Sequence, residues 1–594
     1  MKNLYCTFAL FATLFPVPLA SLHGADAGPP SPIKTGVTFR STDAVLQRVF
    51  HAAEARASGN IRPFKPGMRI LLEGGGYGAA WLETQPMGGA MYAKRDVEVA
   101  VNNQIVFMTR QRPDGRLPGR IDVRNPQRSD LILQNDGWLP GAILVDSDGL
   151  LADYKTLQGH CFPQEALDVY FWMGEDRAFL QQLFDVLEKH DRYLWRVRDS
   201  NNNGCLETWA ISDTGEDRSE KFGDSYHFWS YDLPPTRERI ASLPEAELIR
   251  QKAGREHKEA SVNRKLNSPM PVESMDVMSY SYANRITLAA ISAILRNGRE
   301  AYWTDQAAAV KAKIKDYLWV PTKAACFDRD RNGEILPTLV HNNLRCMHFG
   351  SFDQDMADRF VREHLLNPKH FWTPVPLPSI AANDPKFKNV PGNDWNGQAQ
   401  GLTYQRAFRA LENYGHHAEL SMIGAKLVQT IQQNNLIFGQ QFDPYTGKTE
   451  NIDGYGPTVL AALEYVAHFH GVHLALAQKE VWWSGVQPTG HEFSYTQRWG
   501  EHTFALDCEA GRMRARMNGR DVFSCTAGVR VVTNLDGKVI EIVGIQPEKQ
   551  RVTLNAGSRQ WHLTVGPNEV WGVDGVNPKL LRSAPFDYPH LPND

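Results

Sequence analysis

Cysteine is scarce in this chain: 594 residues hold seven, and none forms a Cys-x-x-Cys pair. That excludes a zinc ribbon and a thioredoxin-like centre. Charge excess is also missing, since 64 Lys and Arg stand against 67 Asp and Glu for a net charge of −3. No basic footprint for nucleic acid or an anionic membrane surface follows from such a balance. Past the first two dozen residues no apolar run is long enough to span a bilayer. No sequence repeat of fixed period is present. What remains is a globular chain, long enough for two to four domains and generous in aromatics, with 15 Trp and 19 Tyr. Surplus Trp and Tyr fill cores, but they also pack against sugar rings.

The N-terminus reads as a secretory signal over residues 1–27. Lys2 precedes an apolar run from Leu4 to Leu19, and Ala25-Asp26-Ala27 supplies the cleavage pattern. Pro16 and Pro18 break a run already short for a membrane span, and Cys6 is not placed like a lipid-attachment cysteine. The mature protein is expected to be exported, periplasmic or extracellular, without a membrane span. Cys508 and Cys525 lie in one β-rich segment, and a hairpin disulfide between them is one reading in an oxidising compartment.

Residues 28–42 read as an N-terminal arm or linker. From 43 to 478, amphipathic 3.6-residue periods recur near 43–57, 96–110, 163–173, 177–195, 276–297, 300–318, 353–366, 399–414, 416–434 and 457–470. Long loops rich in Gly, Asn, Pro and Trp separate many of them, an arrangement that suits a toroid of paired helices with its loops gathered at one end. After 480 the pattern becomes short alternating segments with turn signals such as Asp536-Gly537, a small antiparallel β-sandwich over 480–594. The expected class is mainly α, an (α/α)6 toroid followed by that sandwich.

Four stretches carry chemistry. Residues 199–219 join an Asp199-x-Asn201-x-Asn203-Gly204 loop, a Glu207-x-Trp209 pair and Asp213-Thr-Gly-Glu216-Asp217-Arg-Ser219. Acidic groups beside tryptophan are what a glycosidic site needs, a proton donor for the leaving oxygen and an indole face for the sugar. The Asp-x-Asn-x-Asn-Gly pattern copies the first half of a calcium loop, but its twelfth position is Ala210, and an Asx-rich turn is the other reading. A third stretch, Gly392-Asn-Asp394-Trp395-Asn-Gly397-Gln398, sets Trp between hydrogen-bonding groups. In the fourth, Phe442-Asp443-Pro444 through Glu450 to Asp453-Gly454-Tyr455-Gly456-Pro457, three carboxylates stand ahead of a helix.

In their order these stretches resemble the clan of (α/α)6-barrel glycosidases that holds glycoside hydrolase family 63, with its mannosylglycerate hydrolase and processing α-glucosidase types, and the family 37 trehalases. The resemblance covers about residues 60–470. The family's Ser-Gly-Trp-Asp-x-Ser stretch matches Thr214-Gly215-Glu216-Asp217-Arg218-Ser219, which implies Asp217 as general acid, with Glu216 in place of the family's Trp. Ala-Trp81-Leu-Glu83-Thr84 is similar to the early Trp-x-Trp-Asp-Ser stretch, Gly115-Arg-Leu-Pro118 echoes a Gly-x-x-Pro turn, and Trp395-Asn-Gly397-Gln398 resembles a stretch whose Trp lines the −1 subsite. The resemblance implies Trp81, Glu83, Asp394, Trp395, Gln398 and Gln440 as substrate-binding residues. It also implies calcium on Asp199, Asn201 and Asn203, with Glu273 as a distal ligand.

One departure stands out. The family's general base is a Glu of a Glu-x-Tyr-Asn/Asp stretch, and Gln440 of Gln440-Gln-Phe-Asp443 occupies that position. Among the carboxylates of the same loop, Glu450 is expected as base ahead of Asp443 and Asp453, with Glu83 next. The expected function is cleavage of a terminal glycosidic bond of an oligo- or polysaccharide with inversion, a chemistry that needs no cofactor. Two rivals stand beside it: a non-catalytic sugar-binding protein, which Gln440 favours, and a polysaccharide lyase using groups such as Tyr280, Tyr282, Asn284 and Arg285.

Overall fold

The computed structural model describes residues 33–65, 67–123, 143–145, 149–222, 269–392, 394–450, 452–486, 490–573, 575 and 577–591. The signal-peptide reading of residues 1–27 falls outside them.

Twelve α-helices are found among the described residues. In chain order they are α1 (Ala44–Gly59), α2 (Gln85–Tyr92), α3 (Val97–Met108), α4 (Pro163–Trp172), α5 (Arg177–Val197), α6 (Met275–Leu295), α7 (Glu300–Lys313), α8 (Asn342–Phe349), α9 (Gln354–Phe360), α10 (Gly401–Glu412), α11 (His417–Gln433) and α12 (Gly456–Phe469). The even-numbered helices pack neighbour on neighbour, and α12 closes the ring against α2. Helix α1 packs on α12, so the two ends of the helical region complete the circle. This is an (α/α)6 toroid.

Local chemistry explains the two rings. Outer helix α7 buries only Trp303, Ala307 and Val310, one stripe at i, i+4, i+7. Inner helix α12 is buried at every position. Several helix starts are set by side-chain caps: Asp43 accepts from Val45 and Leu46 N–H, Asp176 from Ala178 and Phe179 N–H, and Ser274 from Val277 N–H.

Two antiparallel sheets, of seven and six strands, form the sandwich. Trp483 of the six-stranded sheet lies 6.2 Å from Phe504 and 6.0 Å from Phe523 of the other, centroid to centroid. Thr35–Ser41, expected as part of an arm, is instead the edge strand of the seven-stranded sheet, antiparallel to Phe493–Trp499 with Phe39 opposite Tyr495. Its alternation of inward Phe39 with exposed neighbours is that of a half-buried strand. The six-stranded sheet starts at His470, directly after α12. Cys508 and Cys525 are free. Strand Arg512–Met517 runs between theirs, with Met513 paired to both cysteines. Two strand spacings amount to ~9.5 Å, beyond the ~7 Å Cα separation a disulfide tolerates.

A four-stranded sheet of Ala80–Trp81, Arg120–Val123, Leu150–Asp153 and Ile143–Val145 is laid over the toroid's loop end. It pairs Trp81 with Arg120 and Arg120 with Asp153. No helix among the described residues is long and apolar enough to cross a membrane.

Candidate active site

The segments that precede the inner helices converge on one cavity of about 230 Å³. Glu83 lies just before α2, Gln158 before α4, Asp217 in the segment before α6, Trp395 before α10 and Tyr455 at the start of α12. The overlying sheet adds Trp81, Arg120 and Asp153, with the Arg120 guanidinium 4.8 Å from the Trp81 ring centroid. The cavity thus has two indoles, four carboxyls (Glu73, Glu83, Asp153 and Asp217) and two cations, Arg120 and Lys155.

Asp217 follows a 3-10 turn, Ile211–Thr214, which ends on Gly215 at φ 75°. A side chain at Gly215 would collide with the Glu83 carboxylate, so Glu83 lies directly against the acid loop. Arg218, next to Asp217, is left-handed at φ 60°, an unfavourable backbone for arginine. Asn396 holds it there, donating Nδ2–H to Arg218 O at 2.9 Å and accepting the Glu220 N–H at 2.6 Å. Trp395 N–H donates to Asp217 O at 3.3 Å. The tryptophan loop and the acid loop are therefore one clamped unit.

Asp213 and Glu216, the carboxyls next to Asp217 in sequence, are both held by buried cations. Asp213 is fully buried against Arg198 at 2.7 Å and accepts N–H bonds from Leu157, Trp209 and Ala210. Burial alone would raise its carboxyl, but Arg198 and these amides hold it below the usual range. Glu216 meets Lys221 Nζ at 2.5 Å, His341 Nε2 at 3.1 Å and Asn342 Nδ2 at 2.7 Å. Burial pushes it up, yet Lys221, with His341 and Arg345, carries it well below the ordinary value. His341 in turn packs its ring 5.5 Å from Trp395. Glu216 builds the tryptophan's wall. The Glu207-x-Trp209 pair is structural too, since the buried Trp209 donates to Glu207 at 2.7 Å and stacks under Arg198 at 4.3 Å.

Of the residues read from the sequence, Trp81, Glu83, Asp217, Trp395 and Gln440 come together in the cavity. Asp394, Gln398 and Glu450 are not among its described lining residues. Asp394 accepts from Asn396 N–H at 3.1 Å and is pushed up to about 6 by burial, while Gln398 donates to Asn389 at 2.9 Å. Glu450 lies on the outer loop beside Gly392, and its rivals are engaged elsewhere. Asp443 accepts from Tyr445 and Thr446 N–H, both at 2.9 Å; Asp453 accepts from Phe438 N–H at 2.9 Å and pairs with Arg56 at 2.9 Å. The reason is geometric: the 443–450 segment turns back on the strand Gln441–Phe442, with Phe442 bridging Thr449, instead of reaching inward.

The sequence reading missed Glu73, Tyr77 and Tyr455. Glu73 and Tyr77 flank the run Gly74-Gly-Gly76, which reads as a plain turn; its signal was a carboxylate and a phenol bracketing three glycines after a strand. The groups considered for a lyase are structural: Asn284 donates to Leu187 O at 3.0 Å, Arg285 pairs with Asp191 at 2.9 Å, and Arg345 donates to the Tyr280 hydroxyl at 3.2 Å. Tyr282 packs its ring 5.4 Å from Lys311 Nζ, and none of Tyr280, Tyr282, Asn284 and Arg285 is among the described residues that line the cavity.

The family model of the mannosylglycerate hydrolase MGH1-like glycoside hydrolase domain matches residues 82–462, well over half of the chain. The chain belongs to this glycoside hydrolase family. Solved structures share its fold. The family 63 mannosylglycerate hydrolase of Thermus thermophilus in complex with glucose aligns at TM-score 0.52 and 18% identity over 70% of this chain and 99% of that one. Its complex with Tris and D-glycerate aligns at 0.54, with 18% identity over 70% of this chain and 100% of the other. A sialidase aligns at 0.56 and 14% identity over 84% of this chain and 41% of its own. No curated protein sequence matches the chain. It is a glycoside hydrolase built on the (α/α)6 toroid, and carbohydrate is its substrate class.

Proposed function

We propose that this hydrolase removes a terminal sugar with inversion, outside the cytoplasm, with Asp217 as the general acid. The observation that carries this reading is the clamped unit of Asp217 and Trp395, which lines with Trp81 one cavity of about 230 Å³. That volume lies below the ~300–1,000 Å³ of drug-sized sites and suits a single sugar ring. Indole faces take the apolar side of the ring, and Asp217 delivers its proton to the leaving oxygen. Inversion places water between the anomeric carbon and a second carboxylate ~6.5–9.5 Å from the acid. Export is supported by the charged, apolar and small-residue pattern of residues 1–27.

A panel of disaccharides, glycosylglycerates and microbial and plant glycans, read by released monosaccharide and by NMR of its first-formed anomer, tests the reaction. Release of a terminal sugar in the opposite anomeric form is expected; retained configuration would overturn inversion. Sequencing the mature N-terminus tests export, with cleavage near Ala27 expected.

We also propose a structural calcium on Asp199, Asn201, Asn203 and Glu273. Supporting it, these side chains meet: Asn201 donates to Glu273 at 3.0 Å and Asn203 to the same oxygen. Two carboxylates and two amides make the hard-oxygen donor set that calcium takes. When bound, the ion would tie the end of α5 to the strand before α6; it supplies no step of the reaction.

A further inference from the structure

Gln440 faces the cavity where the family has its basic glutamate, and a carboxamide cannot take a proton from water. The wall around it supplies a replacement from the other end of the chain. Tyr77 donates its hydroxyl to Gln440 Oε1 at 2.8 Å. Four residues earlier, Glu73 faces the same cavity as Tyr455, whose hydroxyl pulls the Glu73 carboxyl down against the effect of burial. Tyr77 and Tyr455 meet edge to face at 6.2 Å. Glu73, Tyr77, Gln440 and Tyr455 thus make one wall.

The other lining carboxyls are placed differently. Glu83 abuts Gly215 and Gly159 beside the acid loop, and Asp153 lies on the overlying sheet with Lys155 at 3.9 Å.

The Glu73 loop is built for close approach. Gly456 N–H donates to Glu73 O at 2.5 Å, fastening the loop to the start of α12. Gly74 sits at φ 71°, where any side chain would strike Gly454 O; a Cβ on Gly75, at φ 60°, would lie 3.2 Å from Tyr455 Cα. Only glycine combines that left-handed backbone with that contact. The loop is pressed onto the segment that follows Gln440, and the carboxylate is delivered into the cavity.

We infer that Glu73 is the general base of this enzyme, taking over the role of the family carboxylate at position 440, while Gln440 keeps a hydrogen-bonding place beside the water. The inference rests on the hydrolytic reading above, with Asp217 as acid. Water oxygen bonds to the anomeric carbon while Glu73 accepts one of its protons. The bond from that carbon to the leaving oxygen breaks, its electron pair stays on that oxygen, and Asp217 supplies the proton that completes the alcohol. Afterwards Glu73 gives its proton to solvent and Asp217 regains one. Burial above all, then the charge of Glu83, raises the Glu73 carboxyl well above its ordinary range; Tyr455 opposes the rise and Asp217 adds to it. A more basic carboxylate is the better proton acceptor near neutral pH.

Glycosyl fluorides separate the two roles, because fluoride leaves without a proton and needs a base but no acid. Wild type, Glu73→Gln, Asp217→Asn, Gln440→Glu and the double variant Glu73→Gln/Gln440→Glu are assayed on the glycoside the wild type cleaves and on the matching fluoride. Glu73→Gln is expected to lose ~10²–10⁴-fold on both substrates. Asp217→Asn should lose as much on the glycoside and keep most of its fluoride rate. The double variant should recover at least tenfold over Glu73→Gln, a rescue that a merely structural Glu73 would not allow. Gln440→Glu alone serves as the reference for the double variant, and Glu73→Asp is added should Glu73→Gln fail to fold: it should lose rate on both substrates alike, whereas a loss on the glycoside alone would overturn the base assignment. An active wild type whose Glu73→Gln variant stays within tenfold on both substrates overturns the base assignment alone. A wild type inactive on every glycoside and fluoride overturns the hydrolytic reading and Glu73's role with it.

Discussion

Two pairs of buried carboxyls stand near one another in this barrel and are treated in opposite ways. Asp213 and Glu216, at 0% and 1% exposure, each meet a cation within 3 Å, Arg198 and Lys221. Glu73 and Glu83, at 5% and 7%, have no ion pair among the described residues, and burial raises both. The first pair builds the Asp217 loop and the tryptophan wall; the second lines the cavity. A cation in contact stabilises a carboxylate's charge and thereby weakens it as a base, so the carboxyls that hold shape are made weak bases while Glu73 and Glu83, in the cavity wall, are raised by burial.

The comparison is broken most severely at the group between the pairs. Asp217→Asn should cut turnover of an unactivated glycoside by at least ~10²–10⁴-fold, because the leaving oxygen loses its proton donor. The variant should still fold, since Asn396 and Trp395 grip the backbone of this turn. A near wild-type rate would remove Asp217 from its role.

Next comes the paired class. Asp213→Asn strips the charge facing Arg198 and leaves a buried guanidinium uncompensated, a change worth about 3–5 kcal/mol. Denaturant unfolding at pH 7 should show that loss. The folded-state carboxyl of Asp213 lies below its unfolded value, so its contribution is full above the unfolded value and fades as pH falls through the folded one. Variant and wild type should therefore converge only in strong acid. A loss below about 1 kcal/mol at pH 7 would place Asp213 outside the structural class.

How much of this was legible follows from the same contrast. Outer helices such as α7 carry one apolar stripe and show their period in the sequence. Inner helices α2 and α8 did not, because they are short and almost wholly buried: α8 reads Asn-Asn-Leu-Arg-Cys-Met-His-Phe, with all eight residues buried, and α2 buries all but Ala90 and Met91. Their polar groups turn to buried partners behind the cavity, as Asn342 does to Glu216 and Arg345 to Thr214 O, so the pattern that reveals an amphipathic helix is absent there. Asp217, Trp395 and Trp81 were found through the order of motifs. Glu73 was not, because its role depends on a loop docking onto Gly454–Gly456, nearly four hundred residues away. Strand Thr35–Ser41 was missed for the same reason: its partner strand begins at Phe493.

Glu83 gives the complementary test. Burial raises it, Arg406 and Arg345 pull it back and Asp217 adds to the rise, bringing it to about 7. A carboxyl whose folded value lies above its unfolded one costs stability as pH climbs between the two. Removing its charge should then stabilise the fold at high pH, by up to on the order of 3 kcal/mol. Glu83→Gln is expected to melt above wild type at pH 8, with the gap closing as pH falls toward 4. Equal curves at pH 8 would mean that Glu83 is satisfied in the folded state, contrary to the unpaired class.

The smallest effect is expected at the loop that begins at Asp199, none of whose residues lines the cavity. Its oxygens already have internal donors: Asp199 accepts from Asn203 N–H at 3.0 Å and Gly204 N–H at 3.2 Å, and Glu273 accepts the Tyr317 hydroxyl at 2.5 Å. The turn is therefore held without help, and an ion adds only its binding free energy by mass action. Chelation should lower the wild-type melting temperature by roughly 2–4 °C, reversibly on adding calcium. Asp199→Ala breaks the turn as well as the donor set, so its own melting point does not decide the matter. What decides is its response: it should melt alike with and without chelator. An unchanged wild-type curve in excess chelator would leave Asp199, Asn201 and Asn203 as an Asx turn whose hydrogen bonds alone tie α5 to Glu273.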